Sequence, residues 1–107
     1  KRKIAFFFTR EYLADDSISA YMKQRSGGVP YIANMRLSRE DAIDLLATGQ
    51  ADAVSFGKAY IANPDLYERL LADAPLNELK LETMIGTAVA EGYIDYPTLA
   101  ETQHAVE

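Results

Sequence analysis

At 107 residues, with 49% hydrophobic and 25% charged side chains, the chain can build one modest core, and with no composition shift residues 1–107 read as a single domain. Its 11 basic against 16 acidic side chains leave a net charge of -5, which argues against nucleic acid as a partner. The absence of cysteine excludes disulfides and thiolate sites and suits the cytoplasm, and the opening apolar run, Ile4 to Phe8, is far short of the roughly 20 residues of a membrane helix.

Ile4 to Phe8 is continuous rather than alternating, the pattern of a strand buried on both faces. It follows Lys1-Arg2-Lys3 and ends in charge at Arg10-Glu11, too soon for a signal peptide. With no initiator Met and a strand from the third residue, the chain is expected to start inside a longer parent sequence. Asp16 or Ser17 is expected to cap a helix with Ile18, Tyr21 and Met22 on its buried face, stopped by Ser26-Gly27-Gly28. Val29 to Ala33 reads as a second strand.

Ser38 followed three positions later by Asp41 signals a capped helix start, with Ala42, Leu45 and Leu46 at helical spacing and Gly49 as its stop. Ala51 to Phe56 reads as a third strand. Asn63-Pro64-Asp65 then offers a cap, a first-turn proline and an acidic first turn for a helix burying Leu66, Tyr67, Leu70 and Leu71, ended by Pro75. Leu81 to Ala90 is a further predicted helix, and from Gly92 onward Pro97 predicts an irregular tail. Tyr31-Ile32-Ala33-Asn34 recurs as Tyr60-Ile61-Ala62-Asn63, but the copies fall in a strand and in a helix, which favours chance over duplication.

Strand and helix alternating at intervals near 25 residues is the grammar of a parallel α/β protein, whose ligands bind at the carboxyl ends of the strands. That rule points to Thr9-Arg10, Asn34-Met35 and Gly57-Lys58. Gly57-Lys58 offers a bare backbone N–H and a cation, the ingredients of a phosphate cradle, although on spacing alone a lysine there is more often simply solvated. The Asn34 amide suits either a phosphate or a turn, and turn duty is the commoner. His104, the single histidine, sits near the C-terminus as a solvated residue, and no carboxylate motif makes up a metal site. Asp15-Asp16 reads as a helix cap before it reads as an acid–base pair. Tyr93 and Tyr96 either pack over a ligand or anchor the tail.

Two segments resemble the final strand and the C-terminal signature of the Old Yellow Enzyme flavoproteins: Ala51 to Leu66, with Gly57-Lys58-Ala59-Tyr60-Ile61-Ala62-Asn63-Pro64-Asp65-Leu66, and Glu91-Gly92-Tyr93-Ile94-Asp95-Tyr96-Pro97-Thr98. Ala74-Pro75-Leu76-Asn77 stands at the expected place between them, and Tyr31-Ile32-Ala33-Asn34 is similar to the family's seventh strand. The resemblance covers about residues 4 to 100 and extends to the bacterial N-ethylmaleimide and xenobiotic reductases.

It implies the C-terminal part of a (β/α)8 TIM barrel, about three parallel strands with flanking helices, holding FMN at its carboxyl end. NADH or NADPH would reduce the flavin, which would pass hydride to an activated alkene. By position, Ala33, Asn34, Met35, Gly57 and Lys58 would lie beside the FMN phosphate. Lys58 stands where many members have arginine, so a bidentate contact becomes a point charge. The family's substrate-binding His pair or His/Asn pair and its proton-donating tyrosine come from strands outside these residues, so no catalytic residue is assigned. Where the family commonly has an aromatic pair, Met84-Ile85 stands here. The expected partners are FMN and either the N-terminal barrel half or a second copy in a homo-oligomer. The alternative is a non-catalytic, self-associating half barrel with a vestigial phosphate site.

Overall fold

Parallel strands need crossovers, and the first half of the chain supplies two. The computed structural model describes residues 3–85 and 89–106. These fall into two compact units, Lys1–Phe56 and Gly57–Glu107. In the first, β1 (Phe7–Phe8), α1 (Ser19–Arg25), β2 (Tyr31–Ala33), α2 (Arg39–Ala47) and β3 (Ala53–Val54) form a small α/β unit. Its sheet has the order β1-β2-β3, all parallel, with Phe7 opposite Tyr31 and Ala33 opposite Val54. The strands are shorter than the apolar runs that encode them; Ala51 is nonetheless buried, just ahead of β3.

Side chains alternate along a strand, so only one face of the sheet packs against α2. Tyr31, Ala33, Leu45 and Ala51 form that core, with Phe7, Leu37 and Val54 packed on it. The Phe7 and Tyr31 rings stack with centroids 4.8 Å apart. Tyr31 keeps its hydroxyl satisfied by sharing a 2.7 Å hydrogen bond with Thr9 Oγ1. The other face is open: Phe6 and Phe8 remain 54% and 51% exposed. Two-sided burial, expected from the continuous apolar run, is thus not reached within this chain.

The helix starts differ in what caps them. In α2 both halves of a capping box form: Ser38 Oγ accepts from Asp41 N (3.0 Å) and Asp41 Oδ2 from Ser38 N (2.9 Å). Neither Asp16 nor Ser17 caps α1. Its first turn is held by Glu11, whose carboxylate accepts from Ile18 N (2.8 Å), Ser19 N (3.1 Å) and the hydroxyls of Ser17 and Ser19. Nor is the expected apolar stripe buried; Ile18, Tyr21 and Met22 are all exposed, and Ser19 is the buried residue of α1.

The second unit contains α3 (Lys58–Ala62), α4 (Leu66–Ala72), α5 (Leu81–Met84) and α6 (Leu99–His104). Its centre is polar. Arg69, only 2% exposed, donates to Asp65 Oδ1 (2.8 Å) and to the carbonyls of Pro75 (2.5 Å) and Pro97 (3.0 Å). Asp65 Oδ2 in turn accepts from Leu99 N (2.6 Å). Asn63 does not cap α4; buried, it donates to the Ala59 carbonyl (2.9 Å) and accepts from Asn77 N (2.7 Å), and Asp65 takes the cap position. Of the expected stripe on α4, Leu66 is fully buried, whereas Tyr67 and Leu71 are exposed.

Of the helix expected over Leu81 to Ala90, Leu81–Met84 is helical, and residues 86–88 lie outside the described ones. The irregular tail is corrected as well: Thr98 and Glu101 form a second capping box and start α6. Just before it, Gly92 is held at φ +67° with its N–H donating to Asp95 Oδ1 (2.6 Å), and a Cβ there would lie 1.9 Å from Thr83 Oγ1. Among the described residues no helix is long and apolar enough to cross a membrane.

Candidate anion site at the strand ends

Ala33 is the last residue of β2, and its carbonyl accepts from Ser55 N at 2.9 Å, so the ladder continues past β3. Asn34 follows and uses its side-chain amide on the same neighbour, donating to Ser55 Oγ (2.6 Å) and to the Ser55 carbonyl (3.3 Å). The side chain therefore performs the turn-fixing role. What Asn34 can offer an anion is its main-chain N–H.

Immediately beyond, Met35 has φ 106° and Arg36 φ 50°. Two consecutive non-glycine residues in the left-handed half of the map cost about 1–3 kcal/mol each, and such strain clusters at ligand clamps. Arg36 is exposed, and its guanidinium carbon stands 5.4 Å from the centroid of the Tyr12 ring. Nothing in the sequence marked Arg36, because an arginine in a polar loop has no signature without its backbone angles.

Gly57 opens α3, its carbonyl accepting from Tyr60 N (3.0 Å) and Ile61 N (3.3 Å). At φ -100° it needs no glycine on conformational grounds, and beyond its immediate chain neighbours a Cβ there would meet no atom within 4 Å. The fold leaves Gly57 open to close approach from outside, as a phosphate cradle requires. Lys58 is exposed beside it. The two units place these groups separately, Ala33, Asn34 and Met35 in the first and Gly57 and Lys58 in the second.

Each unit also has a cavity. That of the first, about 540 Å³, has Glu11, Asp15, Asp41 and Asp44 among its walls, with Ala33 and Asn34. Hydrogen bonds from the Ser19 hydroxyl, the Ile18 N–H and the Ser17 hydroxyl lower the Glu11 pKa to about 2, and bonds from Ser38 lower that of Asp41, so both are charged at neutral pH. Such walls repel a phosphate dianion from the interior of this cavity. The cavity of the second unit, about 400 Å³, is lined by Tyr60, Ile61, Pro64, Tyr93, Ile94 and Tyr96. Tyr96 is anchored through its hydroxyl, which accepts from Lys80 N at 2.7 Å. His104 is exposed in the last turn of α6, and among the described residues no cluster of metal-ligating side chains forms.

No family model matches the chain. Among curated proteins it is similar to 12-oxophytodienoate reductase 2 of Arabidopsis thaliana, 39% identical over 72 residues that make up 67% of this chain and 19% of that protein. It is likewise similar to flavin oxidoreductase hxnT of Emericella nidulans, at 40% identity over 68% of this chain and 19% of that protein. The chain thus spans about a fifth of the length of these relatives. Among solved structures, a variant of NCR from Zymomonas mobilis matches with a TM-score of 0.79 at 35% identity, covering 90% of this chain and 33% of that one. The old yellow enzyme from Trypanosoma cruzi matches with a TM-score of 0.72 at 41% identity, covering 81% and 22%. Its three parallel strands are those of a partial TIM barrel, and on sequence and fold together the chain belongs to the Old Yellow Enzyme family.

Proposed function

We propose that this chain supplies the FMN phosphate site of an NAD(P)H-dependent ene-reductase of the Old Yellow Enzyme type. In the first unit Ala33, Asn34 and Met35 offer a phosphate the main-chain N–H groups of the turn after β2; in the second, Gly57 and Lys58 offer it a backbone N–H and a cation at the start of α3. The observation that supports this most is the strained turn at Met35 and Arg36, at the carboxyl end of a parallel strand, in a chain whose relatives include a flavin oxidoreductase. Bound FMN would supply hydride transfer from NADH or NADPH to an activated alkene; this chain's share is to bind and orient the cofactor. With His104 as the single histidine, exposed in α6, the family's His-based substrate pair is not among these residues, and the chain alone is expected to lack turnover. The cysteine-free composition suits a cytoplasmic enzyme.

The test compares FMN with riboflavin by fluorescence quenching. FMN should bind more tightly, and Lys58→Met should narrow the gap by about tenfold, the worth of one charge-assisted contact, without affecting riboflavin. Equal loss for both ligands would sink the phosphate assignment. Catalysed reoxidation of reduced FMN by cyclohexenone, well above the rate of free FMN, would refute the lack of turnover.

A second reading rests on Phe6 and Phe8. Their open sheet face fits a self-associating or partner-binding half barrel, with the phosphate site vestigial. Purified chain that is colourless and does not bind FMN, yet associates, would favour it.

A further inference from the structure

The strained turn carries a cation that the proposed phosphate site has not used. Arg36 lies one residue beyond Met35, itself at positive φ, and its side chain is exposed. Among the described residues no carboxylate forms an ion pair with it; its guanidinium is laid over Tyr12 instead. The exposed Arg25 is laid over Tyr21 in the same way, so what sets Arg36 apart is its place in the strained turn. An aromatic face holds a guanidinium by its plane and leaves the N–H groups around its edge able to donate. The glycine that φ 50° would ordinarily favour is absent, so an arginine occupies this position against local backbone preference.

We propose that Arg36 is a phosphate-binding residue of this chain, its guanidinium held by Tyr12 and donating to the anion that the Ala33–Met35 turn receives. The assignment rests on the phosphate reading above and deepens it. Lys58 brings a point charge, whereas a guanidinium donates two parallel N–H bonds to two oxygens of one phosphate. Arg36 thereby supplies the directional part of the recognition. The class of ligand is a phosphate monoester, whose terminal phosphate presents two oxygens on one centre to a fork of this kind.

Arg36→Met, Arg36→Lys and Arg36→Gly separate this role from a structural one when FMN and riboflavin affinities are measured beside thermal melts. Arg36→Met should weaken FMN by about tenfold or more and leave riboflavin unchanged; Arg36→Lys should recover only part of the loss. Arg36→Gly should raise the melting temperature of the ligand-free chain by relieving the positive φ, while losing FMN affinity as fully as Arg36→Met. Opposite signs for stability and affinity in one variant are not expected of a residue that merely braces Tyr12. If wild-type chain binds FMN no better than riboflavin, the phosphate reading falls and this inference with it. If FMN is preferred, Lys58→Met removes the preference and Arg36→Met does not, the inference alone is overturned.

Discussion

The Asn34 amide nitrogen lies 2.6 Å from Ser55 Oγ, so one short hydrogen bond fastens the turn after β2 to the residue following β3. The turn is therefore positioned by the sheet rather than by its own loop. Asn34→Asp replaces the donating amide with a second acceptor facing the Ser55 carbonyl and adds negative charge beside the proposed anion. It should abolish the preference for FMN over riboflavin. Ser55→Ala should cost about 1 kcal/mol of stability, one neutral hydrogen bond, with a smaller loss of affinity. Both are read by urea unfolding and fluorescence titration; an Asn34→Asp chain that keeps its preference would detach the turn from phosphate binding.

Arg69 is the keystone of the second unit, buried with three acceptors from three separate segments. Truncating one partner of a buried charged network leaves the others desolvated and unpaired, so Arg69→Met should destabilise by about 3 kcal/mol. Arg69→Lys should recover little, because one ammonium cannot meet acceptors arranged around a planar fork. A loss below roughly 0.5 kcal/mol, the range of ordinary surface substitutions, would show that the network contributes nothing net.

Acid should loosen the first turn of α1. Glu11 has its pKa lowered from 4.5 to about 2 by the bonds from Ser19, Ile18 and Ser17. A group depressed in the folded state adds stability that is fully present above its unfolded pKa and is lost as pH falls through the folded one. The stability difference between wild type and Glu11→Gln should thus be constant above about pH 5 and shrink between pH 4.5 and 2. Asp41, Asp52, Asp65 and Glu101 are shifted in the same direction, so the whole chain should lose stability towards acid. Parallel pH profiles for wild type and variant would remove Glu11 from that account.

The exposed face of β1 predicts association. Light scattering at micromolar concentration should find a dimer or larger species, and the double substitution Phe6→Lys, Phe8→Lys should return a monomer with its melt preserved, since neither ring belongs to the α2-facing core. A wild-type monomer with a cooperative melt would instead show the open face to be tolerated in water.

What could be read from the sequence was mostly local chemistry. The Ser38–Asp41 box and the stop at Gly49 bound α2, because both signals act within one turn of the chain. The same logic holds at Thr98–Glu101, where Pro97 stands just ahead of the cap, outside the helix, and so breaks none of its hydrogen bonds. Long-range partners are out of reach of such signals: Glu11 serves a helix start seven residues away, and Asn63 gives its side chain to Ala59 and Asn77 rather than to the start of α4. Periodicity marked Tyr21, Met22, Tyr67 and Leu71 as one-sided apolar stripes without saying whether anything covers them. Candidate residues at the strand ends followed from the parallel topology, whereas the strain at Met35 and Arg36 lives in backbone angles that no residue type there announces.

The contrast between two glycines offers a way to separate heredity of fold from heredity of ligand. Gly92 is fixed twice, by its angle and by Thr83, so a library selected only for folding should return glycine there almost without exception. Gly57 meets neither restriction, and the same library should admit many residues at that position. Reselecting those survivors for retention of FMN should purge all but the smallest side chains at Gly57 and leave the Gly92 distribution as it was. The mutational record of these two sites would then report, residue by residue, which pressure has shaped the chain.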